Sequence, residues 1–264
     1  MTQRLLVTRP QPQADAWVER LRAHGIDALA LPLLEISAVV DLSALHAAWH
    51  DLPRYALAMF VSPNAVSHFF AARPAELAAR GWPAGTRAAA TGPGTLQALQ
   101  MAGVPAALCV APPPQATQFD SAALWSQLQG EAWSGREVMV LRGDGGRDEF
   151  AAHLRAAGAA VHFTQAYHRG PAQPNATERT RLERALAEPG SHLWWLSSAE
   201  AVGYLPQLAG HADWGAAQAL ASHPRIAERA RELGFGRVFE APPTIDAVRA
   251  SLVEIEACLQ SSPP

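Results

Sequence analysis

Short apolar runs alternate along this chain with stretches in which apolar residues recur every three or four positions. Leu5–Val7 is apolar, and Trp17, Val18 and Leu21 follow at helical spacing. Gly25 stands where a helix-terminating glycine would, and Ala28–Leu34 is the next apolar run. Tyr55–Val61 predicts a strand leading into a helix from about Asn64, and Arg87–Ala90 a strand leading into a helix from Gly94 to Ala102. Cys109–Val110 comes next, before the proline run 112–114. The second half repeats the scheme, with predicted strands at Val138–Leu141, Ala160–Ala166, Leu193–Leu196, Ala217–Ala221 and Val238–Glu240. Near-continuous apolar strands alternating with helices predict parallel sheets covered on both faces.

The halves also match residue by residue. At an offset of 133, Arg9 falls on Arg142 and LRAHG (21–25) on LRAAG (154–158). At 136, Ser62 falls on Ser198 and Ala65-Val66 on Ala201-Val202; at 131, Pro93 falls on Pro224 and Gly103 on Gly234. Three matches in one order and at nearly constant offset predict a duplicated unit of about 130 residues.

At 264 residues the chain has room for about two domains. It is 49% hydrophobic with net charge −3, which supplies cores and excludes the basic footprint of a nucleic-acid binder. No apolar run reaches membrane-spanning length, and Pro10 interrupts any secretory leader, so a cytoplasmic location is expected. Cys109 and Cys258 are too few for a disulfide framework or a zinc site. All 21 basic residues are arginines, which excludes Schiff-base, pyridoxal-phosphate and Walker A chemistry.

In parallel α/β sheets ligands sit beyond the carboxyl ends of the strands. Six turns belong there: Thr8-Arg9-Pro10, Ser62-Pro63-Asn64, Thr91-Gly92-Pro93-Gly94, Arg142-Gly143-Asp144, Ser197-Ser198-Ala199 and Ser222-His223-Pro224-Arg225. Each is expected to precede a helix whose free N–H groups and dipole favour an anion. Two such edges facing each other would bind a large polyanion, with Arg9, Arg142 and Arg225 as charge partners. The plainer alternative is that Ser62 and Ser198 only cap their helices. His46 and His50 share a helix face without a third metal ligand, so no metal is expected. Tyr167 matches Leu34 in the repeat. It is either a proton or hydrogen-bond donor or a strand-end aromatic with its hydroxyl in water.

Taken together, VTRP (7–10), FVSPNAV (60–66), Gly92-Pro93-Gly94-Thr95 with Gly103, AYHR (166–169), LSSAEAV (196–202) and HPRIAERARELGF (223–235) resemble the uroporphyrinogen-III synthase family over nearly the whole chain. The resemblance implies two similar doubly wound, flavodoxin- or Rossmann-like α/β domains joined by two linker strands. It places them at 1–36 plus 170–264 and at 40–165, with hinge motion at linkers near 36–40 and 165–170. It implies cyclisation of hydroxymethylbilane to uroporphyrinogen III with loss of water and inversion of the last pyrrole, without cofactor or metal. Tyr167 would assist departure of the hydroxyl. The substrate carboxylates would meet Arg9, Ser62, Asn64, Ala65, Thr91, Gly92, Gly94, Thr95, Arg142, Gly143, Ser197, Ser198, Ala199, Ser222, His223 and Arg225. A monomer is expected, in transient contact with hydroxymethylbilane synthase. Arg225 and Ile226 depart from the Gly-x-x-Thr turn usual on that side, so Arg225 would replace the threonine contact. The rival reading is a non-catalytic cytosolic two-lobed binder of an anionic small molecule.

Overall fold

The structure, a computed structural model, describes residues 3–113, 115–116, 120–145 and 148–261, the side chains of 258–261 excepted. In chain order its strands are β1 (Arg4–Val7), β2 (Ala28–Ala30), β3 (Leu34–Ala38), β4 (Leu57–Phe60), β5 (Arg87–Ala90), β6 (Cys109–Val110), β7 (Glu137–Arg142), β8 (Ala160–Gln165), β9 (Tyr167–Pro171), β10 (His192–Leu196), β11 (Gln218–Ala221) and β12 (Arg237–Glu240). The helices are α1 (Gln13–Ala23), α2 (Ser43–Asp51), α3 (Pro63–Ala71), α4 (Pro93–Met101), α5 (Ser121–Leu128), α6 (Glu149–Ala156), α7 (Ala176–Ala187), α8 (Ala199–Gly203), α9 (Leu205–Ala209), α10 (Pro224–Leu233) and α11 (Ile245–Ser261). Among the described residues no helix is long and apolar enough to cross a membrane.

Residue contacts divide the chain into Met1–Ile36 with Gly170–Pro264, the first unit, and Ser37–Arg169, the second. The chain crosses between them twice, along β3 and β9, which pair as a two-stranded sheet. Each unit has its own five-stranded parallel sheet, ordered β12-β11-β10-β1-β2 in the first and β6-β5-β4-β7-β8 in the second. Laying one order on the other pairs β1 with β7, β2 with β8, β10 with β4 and β11 with β5. These are the pairs that the sequence repeat aligns. The helix-ending glycines follow: Gly25 and Gly158 have φ of 77° and 92°, Gly103 and Gly234 of 88° and 102°, a region that side chains avoid.

In the first unit both sheet faces are covered. Leu6, Trp194, Leu196, Ala219 and Ala221 point towards α7, α8 and α10, while Leu5, Val7, Leu193, Trp195 and Leu220 point towards α1 and α11. Alternation along each strand sends neighbours to opposite faces, so β10, HLWWL, is buried along its whole length. In the second unit Leu57, Met59, Val138 and Val140 pack with Leu124, Leu128, Phe150 and Leu154 of α5 and α6. The other face is aromatic: Trp49 stacks on Phe69 at 4.3 Å, and Phe60 and Trp82 complete the cluster.

The structure differs from the sequence reading in three places. The run Ala28–Leu34 is two strands, not one. Pro32 has no N–H for a ladder, and Leu31 and Leu33 turn into the core around it, each 1% exposed. Tyr55–Val61 shortens to β4 because Leu52–Arg54 forms a 3₁₀ turn that takes up Tyr55. Tyr167 does not end a strand: β8 stops at Gln165 and Tyr167 opens β9, as its repeat counterpart Leu34 opens β3.

Candidate functional site

Each sheet changes chain direction once. In the second unit β4 leads outward to β5 and β6, and β7 leads the other way to β8, so the switch lies between the carboxyl ends of β4 and β7. Such a switch opens the crevice where α/β sheets bind ligands. Ser62 follows β4 and Gly143 follows β7.

Tyr167 is held at that crevice. Its hydroxyl lies 3.1 Å from Ser62 Oγ and accepts from Arg169 Nη2, also at 3.1 Å. The residue is 1% exposed, so the alternative of a hydroxyl in water does not hold. His68 stacks on the ring at 5.7 Å, and burial pushes its imidazole below the ordinary histidine range. Gly143 leaves room for the phenol: a Cβ there would stand 2.6 Å from Tyr167 Cε2. Asp144 fixes the far side of this strand. Its carboxylate accepts from Arg169 N–H at 2.5 Å and from Gln165 Nε2, and lies 2.8 Å from His168 Nδ1. Burial pushes the Asp144 carboxyl up, but the Arg169 amide, His168 and Gln165 together outweigh it and hold it below the usual range.

Beside these groups lies a cavity of about 350 Å³. Met59, Val61, Val140 and Phe163 form its apolar lining, and Thr91, Asp120, Arg142 and Arg169 supply polar groups. Thr91 Oγ1 donates to Val61 O at 3.2 Å. Arg142 lies 3.8 Å from the Phe163 ring centre and donates to Asp148 at 2.5 Å. It is therefore already ion-paired, not a free anion partner as expected.

In the first unit the switch lies between β1 and β10. Thr8 Oγ1 donates to Trp195 O at 2.7 Å, closing the two strand ends. Arg9 sits with its guanidinium carbon 5.2 Å from the Trp17 ring centre and 5.6 Å from that of Trp195. Its buried Nε has no hydrogen-bond partner. Burial lowers the guanidinium from its ordinary value. Ser197, Ser198, Ala199 and Ser222 are half-buried at neighbouring strand ends, whereas His223 and Arg225 are exposed.

Several expectations change at this level. Ser62 and Ser198 do cap α3 and α8, accepting the Ala65 and Ala201 amides at 3.2 Å. Ala65 is fully buried with its N–H used by that cap, so it offers no amide to a ligand. Thr95 faces inward at 4% exposure. His223 Nδ1 accepts the Arg225 amide at 3.2 Å. Asn64 is half-buried, Gly92 caps α4 in extended conformation, and Gly94 is exposed. The turns at Arg9 and Arg142 do not enter helices directly, since α1 begins at Gln13 and α6 at Glu149. Sequence reasoning named Asp144 only within a turn and Arg169 only within a motif, without a role for either, and passed over His68 and Asp120. Strand alternation carried a signal for one of them: Arg169 lies two residues beyond Tyr167, hence on its side of β9. Among the described residues no cluster of His, Cys, Asp or Glu could hold a metal. The side chain of Cys258, and Pro114 of the proline run, lie outside the described residues.

Comparison with known proteins meets this geometry. The family model described as uroporphyrinogen-III synthase HemD matches residues 15–249. The uroporphyrinogen-III synthase of Salmonella typhimurium is 33% identical over 165 residues, which is 62% of this chain and 64% of that one. That of Escherichia coli is 33% identical over 166 residues, again 62% and 64%. The match thus spans less than two thirds of either relative. Solved synthases from Thermus thermophilus (TM-score 0.59, 17% identity, 99% of this chain and 100% of that one) and Helicobacter pylori (0.55, 14%, 98% and 100%) share the fold. A model match that runs through both units, from α1 into α11, settles the family: this chain belongs to the uroporphyrinogen-III synthase HemD family.

Proposed function

We propose that this protein cyclises hydroxymethylbilane to uroporphyrinogen III, with loss of water and inversion of the last pyrrole. The observation that carries this reading is the family match across residues 15–249. The bilane loses its terminal hydroxyl as water once that oxygen is protonated. The electron-poor carbon left behind is attacked by the substituted position of the last ring, giving a spiro intermediate. The ring's old bond to its bridging carbon then breaks, and the freed carbon bonds the ring's unsubstituted α-position, closing the macrocycle with the ring inverted. A proton leaves that α-carbon, which balances the one taken up.

Tyr167 is our choice for the proton source. Its oxygen already accepts from Arg169, so its own proton is free to be donated to Ser62 Oγ. Ser62 is half-buried, and Tyr167 is closed off. The proton thus passes to the leaving oxygen through the Ser62 hydroxyl. Arg9, in need of an anion, takes a substrate carboxylate, and Ser197, Ser198 and Ser222 offer hydroxyl donors near it. The remaining task is positioning, because ring closure needs little chemistry once the ends are held. On the same reading the protein is a cytoplasmic monomer that takes its bilane from hydroxymethylbilane synthase; the family alone supports this.

The test supplies freshly generated hydroxymethylbilane and separates the porphyrin isomers after oxidation. Isomer III in excess of the enzyme-free control is expected. Isomer I alone overturns the reading in favour of a binding protein.

A further inference from the structure

At the opposite end of the first unit from the strand carboxyl ends lies a second cavity of about 350 Å³, between α7 and the β1–β2 side of the sheet. We infer that it is a binding site for a small oxyanion of the phosphate type. The inference is independent of the proposed reaction.

The cavity is built by register and by helical spacing. Arg4 and His192 are direct partners across β1 and β10, and Leu29 pairs with Leu6 on β2. By alternation all three lie on the face covered by α7. Across from them α7 presents Thr177, Thr180, Arg181 and Arg184, spaced as one helical stripe. A helix packed on a sheet ordinarily spends such a stripe on apolar residues, and α7 buries only Leu182 and Ala185. Here the stripe carries two hydroxyls and two guanidiniums.

The charge on this lining is only partly compensated. Arg4 pairs with Asp27 at 2.7 Å. Arg181 donates to the Ala30 carbonyl at 2.8 Å, a neutral partner, and among the described residues the exposed Arg184 forms no ion pair. No acid lines this cavity, although Arg4, Arg184 and His192 also line an adjoining one of about 290 Å³ with Asp27 and Glu188. His192 supplies the second observation. It is 3% exposed and lines the cavity, and its Nδ1 lies 3.1 Å from Glu188 O. With that nitrogen donating to the carbonyl, Nε2 carries the ring's lone pair, and among the described residues no protein donor meets it. Forked guanidiniums and hydroxyls donate to the tetrahedral oxygens of phosphate, and His192 Nε2 accepts the P–O–H hydrogen of the partly protonated oxyanion. The volume leaves room for the organic part of a phosphomonoester.

The experiment titrates the full chain, without bilane, with inorganic phosphate, with a simple phosphomonoester, and with chloride at matched ionic strength. The readouts are the His192 imidazole resonances and calorimetry. Saturable phosphate binding with Kd of about 1 mM or tighter is expected, with His192 responding. Arg184→Gln, an exposed change that should not disturb folding, is expected to weaken it about tenfold. Tighter binding of the ester identifies a phosphorylated metabolite as the occupant; equal binding identifies the bare oxyanion. No response of His192, an equal response to chloride, or unchanged affinity in Arg184→Gln overturns the site.

Discussion

The Tyr167 hydroxyl lies 3.1 Å from Ser62 Oγ, across 105 residues of chain. Ser62 in turn accepts the Ala65 amide in the first turn of α3, so one oxygen both caps a helix and meets the phenol. Tyr167→Phe removes the phenolic proton and leaves the ring packed. Formation of uroporphyrinogen III is expected to fall by about a hundredfold, within the usual range for a lost proton donor. Urea unfolding should shift by only about 1 kcal/mol, the worth of a typical hydrogen bond. A rate equal to wild type would remove Tyr167 from the reaction.

Gly143 is the steric counterpart of that phenol. A methyl at 143 would sit 2.6 Å and 2.9 Å from two ring carbons and 3.1 Å from Arg169 Nε, so the ring must move. Gly143→Ala is expected to cost about 1–3 kcal/mol of stability, as overpacking does. It should also lower the rate at least as much as Tyr167→Phe. Denaturant midpoints and initial rates together check this; a stable, fully active variant means the ring is not held by that contact.

Asp144 ties the loop after β7 to β9. Its folded-state carboxyl is held below the ordinary range by the Arg169 amide, His168 and Gln165 against the opposing effect of burial. A lowered folded value stabilises above the unfolded pKa of about 4, and that contribution is lost as pH falls through the folded value. Asp144→Asn should therefore be less stable than wild type at pH 7, by about 1 kcal/mol or less for a group this exposed. The difference should vanish well below pH 4. Unfolding curves from pH 7 to pH 2 decide it, and a difference that does not shrink as pH falls below 4 refutes the tether.

Arg9 is costly to bury and useful only with an anion present. Arg9→Met keeps apolar contact with Trp17 and Trp195 and removes a half-buried charge whose Nε has no hydrogen-bond partner. Stability without ligand is expected to rise by about 1 kcal/mol, while affinity for uroporphyrinogen III falls about tenfold or more. Thermal melts and product titration measure the two separately. A variant that is less stable and binds normally would assign Arg9 to the fold alone.

The alternation of elements and the duplication could be read in the sequence because each rests on local pattern: buried parallel strands are short apolar runs, and the glycines that end helices recur at the repeat spacing. The Ser62 and Ser198 caps could be read for the same reason. The break at Pro32 was missed because Leu31 and Leu33 continue an apolar run while lying outside the ladder. Of the surroundings of Tyr167 only Arg169 could be read, from alternation along one strand. Ser62, Gly143, His68 and Asp144 come to it from distant parts of the chain, and only the sheet order brings β4 and β7 side by side. Arg142 and Ala65 looked like free ligands because sequence does not show that Asp148 and Ser62 already occupy them.

The two crossings of the chain also order events in time. The second unit, Ser37–Arg169, is one continuous stretch, whereas the first needs Gly170–Pro264 before its sheet can close. Until β10 emerges, β1 lacks one of its two neighbours, so a strand made before the second unit belongs to a sheet finished after it. At roughly 5–20 residues per second of synthesis that wait lasts on the order of ten seconds. A ribosome stalled shortly after the second unit has emerged should hold a protease-resistant 37–169 and a cleavable amino-terminal segment. Translation speed through the second unit thus sets how long an apolar, half-paired strand stays within reach of chaperones or of other nascent chains.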